Sequence, residues 1–195
     1  MKFIFILFLT TTFISTNIFS ADGDSENCSN KNVPSEERSF SNNFAGVFNG
    51  KRLEYTASLN EKILYEKDNP SEPMASFFYT EYIVDSEVDR PVIFSFNGGP
   101  GSASLWLHMG VLGPKVIKVP SDASDDGSAP YKIIDNKLSP LSDADLVFID
   151  PIGTGYSRAI GCHEPEEFWG VSEDPKIIAE FIRRWINDNK RWNSP

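Results

Sequence analysis

Apolar residues along the chain fall into blocks of different period, and each period predicts a different element. Leu53, Tyr55, Ala57 and Leu59 alternate with charged or hydroxyl residues, as in a strand with one buried face. A second run follows at 63–65 and a third at 77–84, after Pro70 and Pro73, so an antiparallel meander is expected from about residue 50. Two later runs, 91–96 and 145–150, are almost continuously apolar, which predicts strands buried on both faces of a helix-flanked sheet. Each of these runs ends in a Gly-rich turn. After Ser102, the residues Leu105, Trp106, Met109 and Leu112 share one side of a predicted helix that stops at Gly113-Pro114. A second helix is expected to begin at Asp174-Pro175, with Asp174 as cap and proline at the first helical position. Its apolar face is Ile177, Ile178, Phe181, Ile182, Trp185 and Ile186. Residues 121–131 read as an acidic surface loop between the two units. This order predicts an α/β fold in which an antiparallel meander leads into a mixed sheet flanked by helices.

The N-terminus has a different character. Lys2 precedes an apolar run from Phe3 to Leu9, and polar residues from Thr10 onward shorten it below the ~20 apolar residues of a membrane span. Residues 1–20 therefore read as a secretory signal peptide, cut after Ser20 or Ala21. The expectation is an exported chain, in a periplasmic, secreted or secretory-pathway compartment, with no stable membrane anchor after cleavage. Residues 21–43 read as a polar tail without a packing face, leaving 44–195 as the folded portion. Export permits one intrachain disulfide, Cys28 with Cys162, and the residues leave open whether it forms.

Composition narrows the chemistry. With 195 residues, 40% hydrophobic and 24% charged, the chain supports one globular core. Its net charge of -10 repels phosphate, so no nucleic-acid partner is expected. Two cysteines and two histidines are too few for a Cys/His zinc site, and neither metal nor cofactor is expected.

Asn97-Gly98-Gly99-Pro100-Gly101 lies between a predicted strand and a predicted helix. Glycines there let backbone N–H groups approach a ligand, and a helix start adds a positive dipole end suited to an oxyanion or a carboxylate. Spacing alone equally fits a turn that serves only folding. No Gly-Lys-Ser/Thr and no G-x-G-x-x-G follows, which argues against a nucleotide phosphate.

Three ordered blocks go further. The Asn97–Gly101 turn, then Leu112-Gly113-Pro114, then residues 146–157, ending Asp150-Pro151-Ile152-Gly153-Thr154-Gly155-Tyr156-Ser157, resemble the serine carboxypeptidase family of α/β-hydrolase-fold peptidases. The resemblance is densest over 94–158 and extends loosely from about residue 50 to the end. It implies hydrolysis of the C-terminal peptide bond of peptides or proteins, with no cofactor. It assigns the backbone N–H of Gly99 to the oxyanion hole, where one donor is worth about 3 kcal/mol. It assigns Asn97 and Gly98 to binding the substrate, the Asn97 amide holding the terminal carboxylate. A hydrolase of this fold also needs Ser, Asp and His in that order. The family's nucleophile block, resembling Gly-Glu-Ser-Tyr, is absent and is expected shortly after Pro195. The chain thus reads as the N-terminal part of the fold, incomplete and inactive alone.

The local substitutes are weak. Ser157, within Gly155-Tyr156-Ser157-Arg158-Ala159, resembles a nucleophile elbow, but the family uses this block structurally. Ser102 and Ser104 read as helix-start caps. His108 reads as a packing or surface residue in the first helix, His163 as a loop residue, and Asp150 as a structural hydrogen-bonding group. Two departures stand inside the matched blocks: Ser102-Ala103-Ser104 replaces Cys-Ser-Ser, and Val111 replaces an acidic residue of the carboxylate-binding network. Two other functions stay open: a non-catalytic secreted protein that binds peptide termini through the 97–101 turn, and an α/β-hydrolase acting on esters. The oligomeric state is also open.

Overall fold

The computed structural model of the protein describes residues 32–98, 101–119 and 129–195. Its centre is a six-stranded mixed sheet built from β1 (Ser39–Phe48), β2 (Lys51–Tyr65), β3 (Pro73–Val84), β4 (Val92–Ser95), β7 (Asp145–Ile149) and β8 (Arg158–Ala159). The order is β1-β2-β3-β7-β4, with β8 paired to β3. The first three strands form the expected antiparallel meander, β7 runs antiparallel to β3, and β4 lies parallel to β7. This mixed sheet with few helices has the character of a partial α/β-hydrolase fold. A separate two-stranded ribbon pairs β5 (Lys115–Ile117) with β6 (Ile133–Asp135) at the base of the acidic loop.

Alternation along β7 divides the core. Val147 and Ile149 face one side, with Leu64, Phe77 and the helix α2 (Glu173–Asp188); Leu146 and Phe148 face the other, with Tyr55, Tyr82 and Leu141. Helix α2 lays Ile177, Ile178, Phe181 and Trp185 on the first face, and Phe181 meets the rings of Phe77 and Tyr79 at 5.2 and 5.0 Å.

Several expectations need correction. The strand over 53–59 and the run at 63–65 are one fifteen-residue strand, β2, whose Tyr55 serves one face and Leu64 the other. The polar tail ends earlier than read: residues 39–43 belong to β1, which forms through its backbone ladder to β2 rather than through apolar burial. Strand β4 is not buried on both faces. It pairs only with β7 among the described residues, and Ile93 stays 36% exposed. The helix expected from Ser102 is a single α-helical turn, α1 (Leu105–Leu107), running into a π-helical segment, His108–Leu112, with no fully buried residue. Leu105 and Trp106 point outward. Helix α2 starts one residue before Asp174, with Ser172 at the cap position; Pro175 is tolerated because first-turn N–H groups have no intrahelical partner.

The signal peptide at 1–20, the tail over 21–31 with Cys28, Gly99, Pro100 and residues 120–128 lie outside the described residues. Cys162 is disulfide-bonded. Among the described residues no helix is long and apolar enough to cross a membrane.

One buried carboxylate joins distant segments. Asp145, 1% exposed, accepts from Arg90 Nε at 3.0 Å, Arg191 Nη1 at 2.9 Å and the Val84 backbone N–H at 3.1 Å. Asp145→Ala leaves two largely buried guanidinium groups without their anion, and is expected to cost about 3–5 kcal/mol in a urea unfolding titration.

Candidate functional site

The Gly-rich turn leaves the end of β4. Asn97 is half-buried and Gly98 is exposed. The Asn97 Nδ2 donates to Ser102 Oγ at 3.2 Å, while its Oδ1 is buried with no hydrogen-bond partner among the described residues. The turn borders an apolar cleft of about 310 Å³ lined by Phe96, Ile152, Trp169, Ile178 and Ile182. A larger open groove, about 770 Å³, lies against residues 83–90 and carries no residue of the Gly-rich turn.

The far side of the turn is anchored to β7. The Ser104 hydroxyl donates to the Ile149 carbonyl, and the Ser104 N–H donates to Asp150 Oδ1 at 2.8 Å. Burial pushes the Asp150 carboxyl above the usual range, against the opposing pull of that N–H. Gly155, at φ +52°, is required here, since a Cβ would stand 2.0 Å from Asp150 Oδ2. Ser104 thus stands at the cap position of α1 but makes no cap bond with its side chain, correcting that expectation. Asp150 holds the structural role expected of it.

The remaining candidates are committed elsewhere. Ser157 is fully buried and its Oγ accepts the Phe78 N–H at 2.8 Å. The residue fills the gap along β3 between the β7 and β8 ladders, whose registers end at Tyr79 and Ser76. His108 Nε2 lies 2.6 Å from the Tyr82 hydroxyl, and its ring stacks on Phe148 at 4.6 Å. Burial drives this imidazole down to about 4, so it is neutral at pH 7. His163 contacts Glu167 Oε2 at 2.9 Å and Glu66 Oε1 at 3.3 Å. Val111 stands exposed on the π-helical segment, and its carbonyl accepts from Asn136 Nδ2 at 2.8 Å. Among the described residues no group of three or more His, Cys, Asp or Glu is placed to hold a metal.

The structure therefore brings together Asn97, Ser102, Ser104 and Asp150, and does not bring His108 or His163 to Ser157. Two contributors escaped the sequence reading. Asn136 holds the Val111 and Gly113 carbonyls, and Trp169 walls the cleft while donating to the Ile152 carbonyl at 3.0 Å. Trp169, next to Phe168 in an otherwise polar loop, was the available signal for the cleft; Asn136 had none.

Comparisons with known proteins agree with the motif blocks. The profile of a family described as serine carboxypeptidase matches residues 59–194. Pheromone-processing carboxypeptidase KEX1 of Saccharomyces cerevisiae is 37% identical over 93 residues, covering 47% of this chain and 11% of that protein. Serine carboxypeptidase-like 10 of Arabidopsis thaliana is 25% identical over 124 residues, covering 63% of this chain and 27% of that protein. The chain thus spans well under a third of the length of these relatives.

Three measurements check the assignments above. Ser157→Ala strands the buried Phe78 N–H and should cost about 1–3 kcal/mol in denaturant unfolding. A fluorophosphonate probe should leave the unmutated chain unlabelled, because Ser157 is buried and its Oγ is taken up by the Phe78 N–H. The His108 imidazole has a folded-state value below its ordinary 6.5, so the unfolded chain binds more protons between the two. Its contribution is fully present above pH 6.5 and is lost as pH falls toward about 4, up to about 3 kcal/mol. Urea midpoints across pH 4–7 should show this slope for the unmutated chain and a shallower one for His108→Phe.

Proposed function

The chain belongs to the serine carboxypeptidase family, and on that premise we propose that it supplies the substrate-terminus site of a serine-type carboxypeptidase. The reaction is hydrolysis of the last peptide bond of a peptide or protein with a free C-terminus. Asn97 carries this reading. Its amide is held in place through Ser102, while its buried oxygen has no partner among the described residues. An unpaired acceptor calls for a donor, so Oδ1 suits an N–H of the bound peptide, and the carboxylate is left to the amide's own N–H. The second Nδ2–H donates to the substrate carboxylate, Gly98 lets the terminus approach, and the Gly99 N–H, assigned by the motif, takes the oxyanion.

The described residues provide positioning rather than bond cleavage. Among the described residues Ser157, His108 and His163 are committed to separate structural contacts and do not assemble a Ser-His-Asp triad. A second reading, a non-catalytic protein that binds peptide termini, draws support from the commitment of Ser157, His108 and His163 to structural bonds. Under either reading residues 1–20 direct export, and the partner is a peptide C-terminus.

Asn97→Ala, made in a protein that contains this segment and cleaves peptides, tests the assignment. A hydrogen bond to a charged group is worth roughly 1.5–3 kcal/mol, a ten- to hundredfold loss in kcat/KM. The bond exists in ground and transition states alike, so KM should rise more than kcat falls. Peptides amidated at the C-terminus should be poor substrates and little changed. Equal losses on free and amidated peptides would make Asn97 a support for the turn, not the carboxylate ligand.

A further inference from the structure

Among the described residues strand β1 forms one outer edge of the sheet, and none of them pairs with its free side. Ser39–Phe48 contains no charged residue and no proline, on a chain of net charge -10. Its ladder to β2 runs through ten consecutive pairs without a bulge. Outer strands ordinarily carry charges, prolines or bulges that prevent another strand from pairing with them. Here Phe40, Phe44 and Val47 are 64%, 46% and 49% exposed.

We infer that two copies of this chain pair antiparallel along β1, edge to edge, extending the sheet across a two-fold axis. Symmetry restricts the register. With the axis normal to the sheet, opposed residues share a face, so only every second register is allowed. The register that sets Phe44 against its own copy also sets Phe40 opposite Phe48. It aligns the aromatic row at positions 40, 44 and 48 with its twin, with the exposed Phe44 rings meeting across the axis as a stabilising cross-strand pair while Phe48, 2% exposed, stays in its own core.

The two ends of the strand are complementary in charge. The chain enters β1 through exposed Glu36, Glu37 and Arg38, the last paired with Glu61 at 2.7 Å, and leaves through the Asn49-Gly50 turn, flanked by exposed Lys51, Arg52 and Lys137. Lys51 already pairs with Asp143 at 2.8 Å, and Glu37 with Lys62 at 3.4 Å. Antiparallel pairing carries the acidic approach of each copy past the basic turn of the other, at both ends. Parallel pairing would set like ends together. The neutral strand is where two strongly acidic chains can meet without opposing carboxylates across the seam.

The test is sedimentation equilibrium of the full chain, with amide hydrogen exchange over β1 at high and low concentration. The expected result is twice the monomer mass, with β1 amides that exchange faster on dilution. Phe44→Glu and Phe44→Lys each oppose like charges at the axis and should raise the dissociation constant on the order of a hundredfold. Mixing the two variants should restore a heterodimer. Val47→Lys, on the other sheet face, should weaken the pair about tenfold without touching the aromatic row. Circular-dichroism melts establish that each variant is folded. A monomer at every concentration, a dimer indifferent to both Phe44 variants, or an open series of larger assemblies would overturn the inference.

Discussion

The fold hangs on β7, a strand buried at all five positions and closed by a carboxylate at each end. At its start, Asp145 gathers Arg90, Arg191 and the end of β3. Just past its end, Asp150 takes the N–H of Ser104 and so fixes the exit of the Gly-rich turn. The two are different electrostatic solutions to one problem. Asp145 is paired directly with two guanidinium groups. Asp150 has one backbone donor, and burial raises its proton affinity. A buried ion pair of the first kind adds little net stability relative to an apolar replacement. Its effect here is positional, because only one arrangement of the segments at 84–90, 145 and 191 satisfies all three donors.

That positional control reaches the candidate site through few steps. Among the described residues strand β4 is held on one side only, yet the turn that follows it is tied at two points, Asn97 to Ser102 and Ser104 to the end of β7. A carboxylate-binding amide is useful only if it stands still, since each ångström of play weakens the discrimination between a terminal residue and an internal one. The anchoring through Ser104, Asp150 and the Cβ-free Gly155 supplies that stiffness from beneath the turn.

Reading the sequence recovered the parts governed by one dominant force. The meander, the buried β7 and the apolar face of α2 all follow from hydrophobic period, and the three glycine-bearing blocks were legible because backbone conformation dictates their residues. What escaped was decided by pairing. Strand β1, rich in Ser, Asn and Gly, has poor intrinsic strand preference and little burial. The Asn49-Gly50 turn that creates it, with both residues at positive φ, is nevertheless a known two-residue hairpin signature. The helix after Ser102 failed for the opposite reason. Its apolar spacing was real, but the elements opposite it cover only Leu107 and Leu112, so Leu105 and Trp106 gain no burial. Without burial, one α-helical turn gives way to a wider π-helical segment whose carbonyls Asn136 and Ser139 satisfy.

The candidate catalytic residues show why residue type alone misleads. Serine, histidine and aspartate are all present near the motif blocks, and each has a partner that spends its chemistry on structure. Ser157 gives a lone pair to the Phe78 N–H, and His108 is driven neutral by burial against Phe148 and Tyr82. A nucleophile needs the reverse arrangement: an exposed hydroxyl, an adjacent base and an orienting acid. The atom that does not fit this economy is Asn97 Oδ1, buried and unbonded at the mouth of an apolar cleft. An acceptor without a partner among the described residues calls for a donor, which a carboxylate cannot be, so under the proposed reading the terminus is held by the amide's remaining N–H and Oδ1 meets an N–H of the peptide.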